Sequence, residues 1–228
     1  MRPIYLLSRH TQASDAAMLF AQEVASAMSF NLSPLDFSTL RPEAPEALNQ
    51  RVESEDVALL VIDLQQSNEI KLYLSVCREL RIPYVFVRPQ HRVAFSRIGV
   101  PVTYLIEEKE KGPFAAAFAR HMSSSLILYC PKDYGSKARK NIEAMQNLFH
   151  TMQLEAEERQ TPKNSDKVEK YVTKQAKREH LDLVFVMASR EYGLDDLFLG
   201  PKELHILQLA SCPILLLNPR GDLYALCD

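Results

Sequence analysis

Leu181–Glu203 reads LDLVFVMASREYGLDDLFLGPKE. Leu181–Met187 is an apolar run of strand length, the pattern of a strand buried on both faces. Ser189–Glu203 is rich in turn residues, and an amphipathic helix opens at Pro201. A strand, a turn-rich loop and a helix N-terminus in that order are how α/β proteins build anion and nucleotide sites. Unpaired backbone N–H groups and the helix dipole both face the loop there.

The same alternation extends outward from this stretch. Lys202–Leu209 is read as the helix and Cys212–Pro219, CPILLLNP, as the closing strand. Upstream lie a strand at Leu126–Cys130, a helix at Ser136–Met152, a charged edge strand at Glu155–Gln160, a polar turn at Thr161–Asp166 and a helix to about His180. Ile4–Leu7 reads as a strand, followed by a helix, Asp15–Met28, with Ala17, Phe20, Ala21, Val24 and Met28 on one face. Further segments are a strand at Ser33–Phe37, an irregular link with a helical turn at Arg41–Gln50, a strand at Val57–Ile62, a helix at Asn68–Leu80 and a strand at Ile82–Pro89. After the polar, basic stretch Gln90–Gly99 the pattern restarts. Val102–Ile106 resembles Ile4–Leu7 and is expected to be a strand, and Phe114, Ala117, Phe118 and His121 follow at helical spacing.

Pro83 and Pro213 stand 130 positions apart, as do Pro89 and Pro219. With Asp63 and Met187 as equivalent strand ends, the closing Pro lies 20 positions on in the first copy and 26 in the second. The second copy thus carries about six more residues, at SREYGLDDLFLGPKE. The expectation is an internal duplication, with domains at 1–98 and 99–228. Each would be an α/β, Rossmann-like domain with a mostly parallel sheet, helices on both faces and a ligand cleft at the carboxyl ends of the strands.

Composition narrows the function. Of the 228 residues, 46% are hydrophobic and 25% charged, enough for a sizeable core. A formal charge of −2 provides no electrostatic reason to expect nucleic acid or an anionic membrane as partner. No apolar run approaches the roughly 20 residues of a membrane span, and Arg9 and His10 interrupt the N-terminus too early for a signal peptide, so a cytoplasmic protein is expected. Cys77, Cys130, Cys212 and Cys227 are far apart and read as reduced structural residues.

LDLVFVMASREYGLDDLFLGPKELHILQLASCPILLLNP resembles the C-terminal half of a universal stress protein domain. The whole chain is similar to a tandem pair of such domains, of the adenine nucleotide alpha hydrolase-like fold. The resemblance implies a loop of pattern G-x-x-G, nine residues, then G-[S/T], which wraps the ribose and phosphates of ATP in nucleotide-binding members. Here Gly200 matches the last glycine, the other two positions fall on Met187 and Arg190, and Pro201 replaces the hydroxyl residue. Glycine is needed where backbone approaches a phosphate closely. Pro201, read as the first helical residue, removes one N–H donor. Arg190 is available to pair with a phosphate, or with Asp195 or Asp196 to stiffen the loop, which is the preferred reading. The candidate ligand-binding set is Ala188, Ser189, Arg190, Gly193, Gly200, Pro201 and Lys202.

In the first copy, Leu64-Gln65-Gln66-Ser67 contains no glycine, so adenine nucleotide is a candidate ligand in the second domain only. The acid that the family usually has after its first strand is absent from Ser8-Arg9-His10-Thr11. Glu107 and Glu108 could serve in the second copy, though EEKEK reads more readily as a solvated charge run. Asp63 is read as a hydrogen-bonded strand-terminal acid, Arg88, His91 and Arg92 as a solvated basic cluster, His121 as a packed residue and Asp133-Tyr134-Gly135 as a turn. No nucleophile elbow, zinc motif or Walker loop occurs. The function expected is that of a universal-stress-type protein acting by ligand or protein binding, without catalysis and with weak or no ATP binding. The alternatives are an ATP-binding protein with slow hydrolysis, or a soluble regulator of a membrane transporter. A protein partner or a small anionic ligand is expected, and the chain is either an internal pseudo-dimer, with Pro83–Val87 against Pro213–Leu217, or a homodimer.

Overall fold

The structure, a computed structural model, describes residues 1–37, 45–132, 136–189 and 201–220. In chain order its elements are β1 (Pro3–Ser8), α1 (Asp15–Met28), β2 (Asn31–Asp36), α2 (Pro45–Ser54), β3 (Leu59–Asp63), α3 (Ile70–Cys77) and β4 (Tyr84–Val87). Then come β5 (Arg97–Pro101), α4 (Lys111–Met122), β6 (Ser125–Cys130), α5 (Ser136–Thr151), β7 (Ala156–Gln160), α6 (Ser165–Gln175), β8 (Leu183–Met187), α7 (Lys202–Leu209) and β9 (Ile214–Leu217). Short 3-10 turns, Ser67–Glu69 and Ile106–Glu110, lead into α3 and α4.

Two compact units result. The first comprises Met1–Val93 together with Pro213–Asn218. Its strands run in the order β2-β1-β3-β4-β9; the first four are parallel, and β9 is antiparallel to β4, with Tyr84 opposite Leu216 and Phe86 opposite Ile214. The internal pairing considered from sequence, of Pro83–Val87 with Pro213–Leu217, is therefore present. Ile4, Leu7, Phe20, Leu60, Ile62 and Tyr73 are fully buried in this unit, as two-sided coverage of a parallel sheet requires. Ser14 starts α1 by accepting the Ala17 N–H on its hydroxyl, and Ser29 ends it in the left-handed region at φ 55°.

The second unit comprises Ala94–Cys212 with Pro219 and Arg220. Its strands, β8-β5-β6-β7, are all parallel. β7 lies at the edge, with Ala156 and Arg159 half-buried and Glu157, Glu158 and Gln160 exposed, as its charged sequence predicts. Both units are α/β, with mostly parallel strands and helices packed on the sheets.

Several segments differ from the sequence reading. The first strand of the second unit is Arg97–Pro101, and of the expected strand Val102–Ile106 the first four residues form a connection and Ile106 opens the 3-10 turn. Gly99 and Pro101 disguise the strand. Gly99 is there because the Leu181 side chain fills the space: a Cβ at residue 99 would lie 2.7 Å from Leu181 Cδ1. In α4 the buried positions are Lys111, Gly112, Ala115, Ala116, Phe118 and Ala119, so the inward stripe is rotated from the expected one and His121 is exposed. α2 is a regular helix, Pro45–Ser54, where a link with one helical turn was expected. Among the described residues, no helix is long and apolar enough to cross a membrane.

Candidate functional site

In the second unit, the carboxyl ends of the parallel neighbours β5 and β8 open onto a cavity of about 610 Å³. Thr103, Tyr104, Leu105 and Glu107 line it from the segment after β5, Ser165, Asp166 and Glu169 from the first turns of α6, Met187–Ser189 from the end of β8, and Lys202 from the start of α7. This is where open parallel sheets bind ligands.

A chain of buried charges runs beneath this wall. Lys111, at the start of α4 and fully buried, donates from Nζ to the Pro101 carbonyl at 2.5 Å and pairs with Glu108 Oε2 at 2.6 Å. Its Nζ also lies 3.8 Å from Glu169 Oε1. Glu108 Oε2 accepts the Thr103 N–H at 3.0 Å, which fixes the connection after β5. Glu169 accepts the Met187 N–H at 3.0 Å and the Lys202 ammonium at 2.8 Å. On α7, Glu203 accepts the Ser189 N–H. Each group is thus tied to the end of a strand or the start of a helix that frames the cavity.

Three of the five residues of the EEKEK run are accordingly not solvated: Glu107 is 2% exposed, and Glu108 and Lys111 are both 0%, while Lys109 is exposed. The reason is geometric. The 3-10 turn and the start of α4 place residues 108 and 111 three apart on the inward side, where each neutralises the other. Burial alone pushes the Glu169 carboxyl up, but the Lys202 and Lys111 ammonium groups and the hydrogen bonds from Lys202 and Met187 hold it below the usual carboxylate range. Burial lowers the Lys202 ammonium, and Glu169 outweighs that and raises it.

Of the residues selected from sequence, Ala188, Ser189 and Lys202 line the cavity. Pro201 is at the N-cap of α7 in extended conformation, φ −64° and ψ 154°, rather than at the first helical position. Arg190, Gly193 and Gly200 lie outside the described residues, as do Asp195, Asp196 and the 133–135 turn. Sequence reasoning missed Lys111, Glu169 and Glu203. A signal existed for Glu169: Val168, Val172 and Thr173 are its inward neighbours on α6, so the helical period places residue 169 on the buried face.

In the first unit, Arg9 and His10 after β1 and Gln66, Asn68 and Glu69 after β3 line a smaller cavity of about 280 Å³. Asp63, at the end of β3, is fully buried and accepts from Ser8 Oγ at 2.9 Å, Ser14 N at 3.1 Å, Ser14 Oγ at 2.6 Å and Gln65 Nε2 at 2.7 Å. It is a saturated structural acid, as read from the sequence. The expected solvated basic cluster is a correction: Arg88 is 9% and His91 6% exposed, with Arg88 Nη1 donating to Ser67 Oγ and His91 Nδ1 accepting the Arg88 N–H, while Arg92 is exposed. Burial lowers the Arg88 guanidinium pKa. Among the described residues, no group of His, Cys, Asp and Glu could hold a metal.

No family model matches the sequence, and no curated protein matches it. Solved structures do match the fold. A universal stress protein from Archaeoglobus fulgidus DSM 4304 superposes with a TM-score of 0.62 at 10% identity, over 95% of this chain and 88% of that one. A universal stress protein from Pseudomonas aeruginosa UCBPP-PA14 does so with a TM-score of 0.63 at 13% identity, over 97% and 94%. A functionally unknown protein from Pseudomonas aeruginosa PAO1 is similar to the same degree, with a TM-score of 0.60 at 13% identity. The chain has the α/β fold of universal stress proteins.

Proposed function

We propose that this chain is a universal-stress-type protein that acts by binding, with a ligand site at the carboxyl ends of β5 and β8 and with ATP bound weakly or not at all. The observation that carries the reading is the Glu203 carboxylate on the Ser189 N–H. A phosphate at the start of α7 would need backbone donors at the end of β8, and this one is already taken by the chain's own acid. Glu107, Asp166 and Glu169 add carboxylates to the wall against the Lys202 ammonium, which Glu169 already holds. A polyphosphate entering the cavity would face net repulsion. A small ligand with at most one negative charge, set near Lys202, fits the volume and the charge. The same proposal takes the protein to act by binding, without catalysis. Two tandem copies, at 1–98 and 99–228, belong to the same proposal, supported by the recurrence of parallel α/β structure in each unit.

Native mass spectrometry of the purified protein and calorimetry with ATP test it. We expect no co-purifying nucleotide and no ATP binding tighter than about 1 mM. Retained nucleotide, or tight binding abolished by Lys202→Ala or Arg190→Ala, would establish the ATP-binding alternative.

A further inference from the structure

Six large apolar side chains are exposed among the described residues, and three of them are consecutive: Tyr104 at 45%, Leu105 at 40% and Ile106 at 46%. They do not stand on a convex tip. Together with Lys109, Lys137 and Lys140 they border a second cavity of about 560 Å³, between the connection after β5 and the flank of α5. Lys137 and Lys140 are three apart on α5 and exposed, and both line one edge of the concavity. Asn141 Nδ2 donates to the Thr103 carbonyl at 2.9 Å and the Leu105 carbonyl at 2.7 Å, holding the apolar run in place against the helix. A preorganised apolar seat with a positive rim has a defined complement.

We propose that this surface docks a segment of a partner protein carrying bulky apolar side chains flanked by Asp or Glu. Charge complementarity selects the acid flanks: Lys137 and Lys140 edge the cavity, and the carboxylate in its lining, Glu107, is buried. Shape selects a polypeptide over a membrane. A cavity of this volume accepts one or two side chains with the backbone between them, whereas a bilayer surface is met by protruding apolar groups. This inference goes beyond the ligand reading above. Ile106, Lys137 and Lys140 line this cavity and not the one at β5 and β8, so the two readings fail separately.

The test uses the full-length protein and a fluorescein-labelled synthetic peptide with adjacent Phe and Leu between runs of Glu, read by fluorescence anisotropy. A matched peptide with Lys in place of each Glu is the control. We expect saturable binding of the acidic peptide, at least about tenfold tighter than the basic one, weakening as salt is raised. Lys137→Glu with Lys140→Glu, and separately Ile106→Ser, should each weaken it about tenfold while the thermal melt stays at the wild-type value. Lys137→Ala with Lys140→Ala provides a milder check should the reversal perturb folding. Equal binding of both peptides, absence of binding, or full affinity in these variants overturns the proposal. So does sedimentation with phosphatidylserine vesicles in place of peptide binding, which would make the occupant a membrane. Concentration-dependent self-association abolished by Ile106→Ser would make it a second copy of the chain, with the same consequence.

Discussion

Lys111 is the residue on which the candidate site most depends. It is a fully buried ammonium whose neighbours, Glu108, Glu169 and the Pro101 carbonyl, come from three separate segments. Replacing it by Met removes the cation and leaves two buried carboxylates with less compensation. Lys111→Met should therefore cost about 3–5 kcal/mol, measured by urea unfolding. Adding Glu108→Gln should recover part of that loss, because the two residues form one interacting unit. The pH dependence belongs to the same group. Glu169 has its carboxyl held below the unfolded value, so its contribution is complete above the ordinary Glu pKa of about 4.3 and is lost as pH falls through the folded value. Wild-type protein should lose more unfolding free energy between neutral pH and about pH 3 than Glu169→Gln does. Equal losses in both would show that the ion pairs with Lys111 and Lys202 do not contribute to acid stability.

At the level of elements, β5 shows how packing overrides local propensity. RIGVP contains a glycine and a proline, both poor strand residues, yet it is a central strand flanked by β6 and β8. What makes it a strand is pairing on both sides, with Ile98 opposite Leu126 on one and Leu183 on the other. The missing side chain at Gly99 is the complement of Leu181, which is 5% exposed. Gly99→Ala should destabilise by about 1–3 kcal/mol in urea titration, since the added methyl displaces Leu181 in a close-packed interior. A neutral outcome would mean that Leu181 has room to change rotamer. The same contrast holds for the 3-10 turn before α4. Its charges read as solvated because composition reports charge and not direction, and direction was set by the turn geometry.

On the scale of the whole molecule, the last strand completes the first unit. β9 extends the sheet that begins with β1 and lies antiparallel to β4, joining positions 86 and 214. Asn218 secures it: its Nδ2 donates to the Cys77 carbonyl at 2.7 Å and the Leu80 carbonyl at 2.9 Å, and its Oδ1 accepts from Tyr84 OH at 2.8 Å. Asn218→Ala removes all three bonds from the end of α3 and the start of β4. We expect a loss of about 1–3 kcal/mol, with faster hydrogen exchange at Tyr84–Val87, although the substitution is near the C-terminal end of the chain. Unchanged exchange there would mean that the strand pair holds without its polar anchor.

By itself the sequence determined the local elements, because periodicity and caps act over a few residues. Asp15–Met28 was readable to the residue, and Leu183–Met187 and Ile214–Leu217 fall inside the strands read from their apolar runs. Tertiary structure alone decided which charges are inside. Glu108, Lys111 and Glu203 are ordinary helix-surface residues to any local rule, and with Glu169 they became a buried network only when β5, β8, α6 and α7 were brought to one end of a sheet. Burial of a charge depends on partners distant in sequence, since an ion pair in a low-dielectric interior is tolerated only when its neighbours satisfy it.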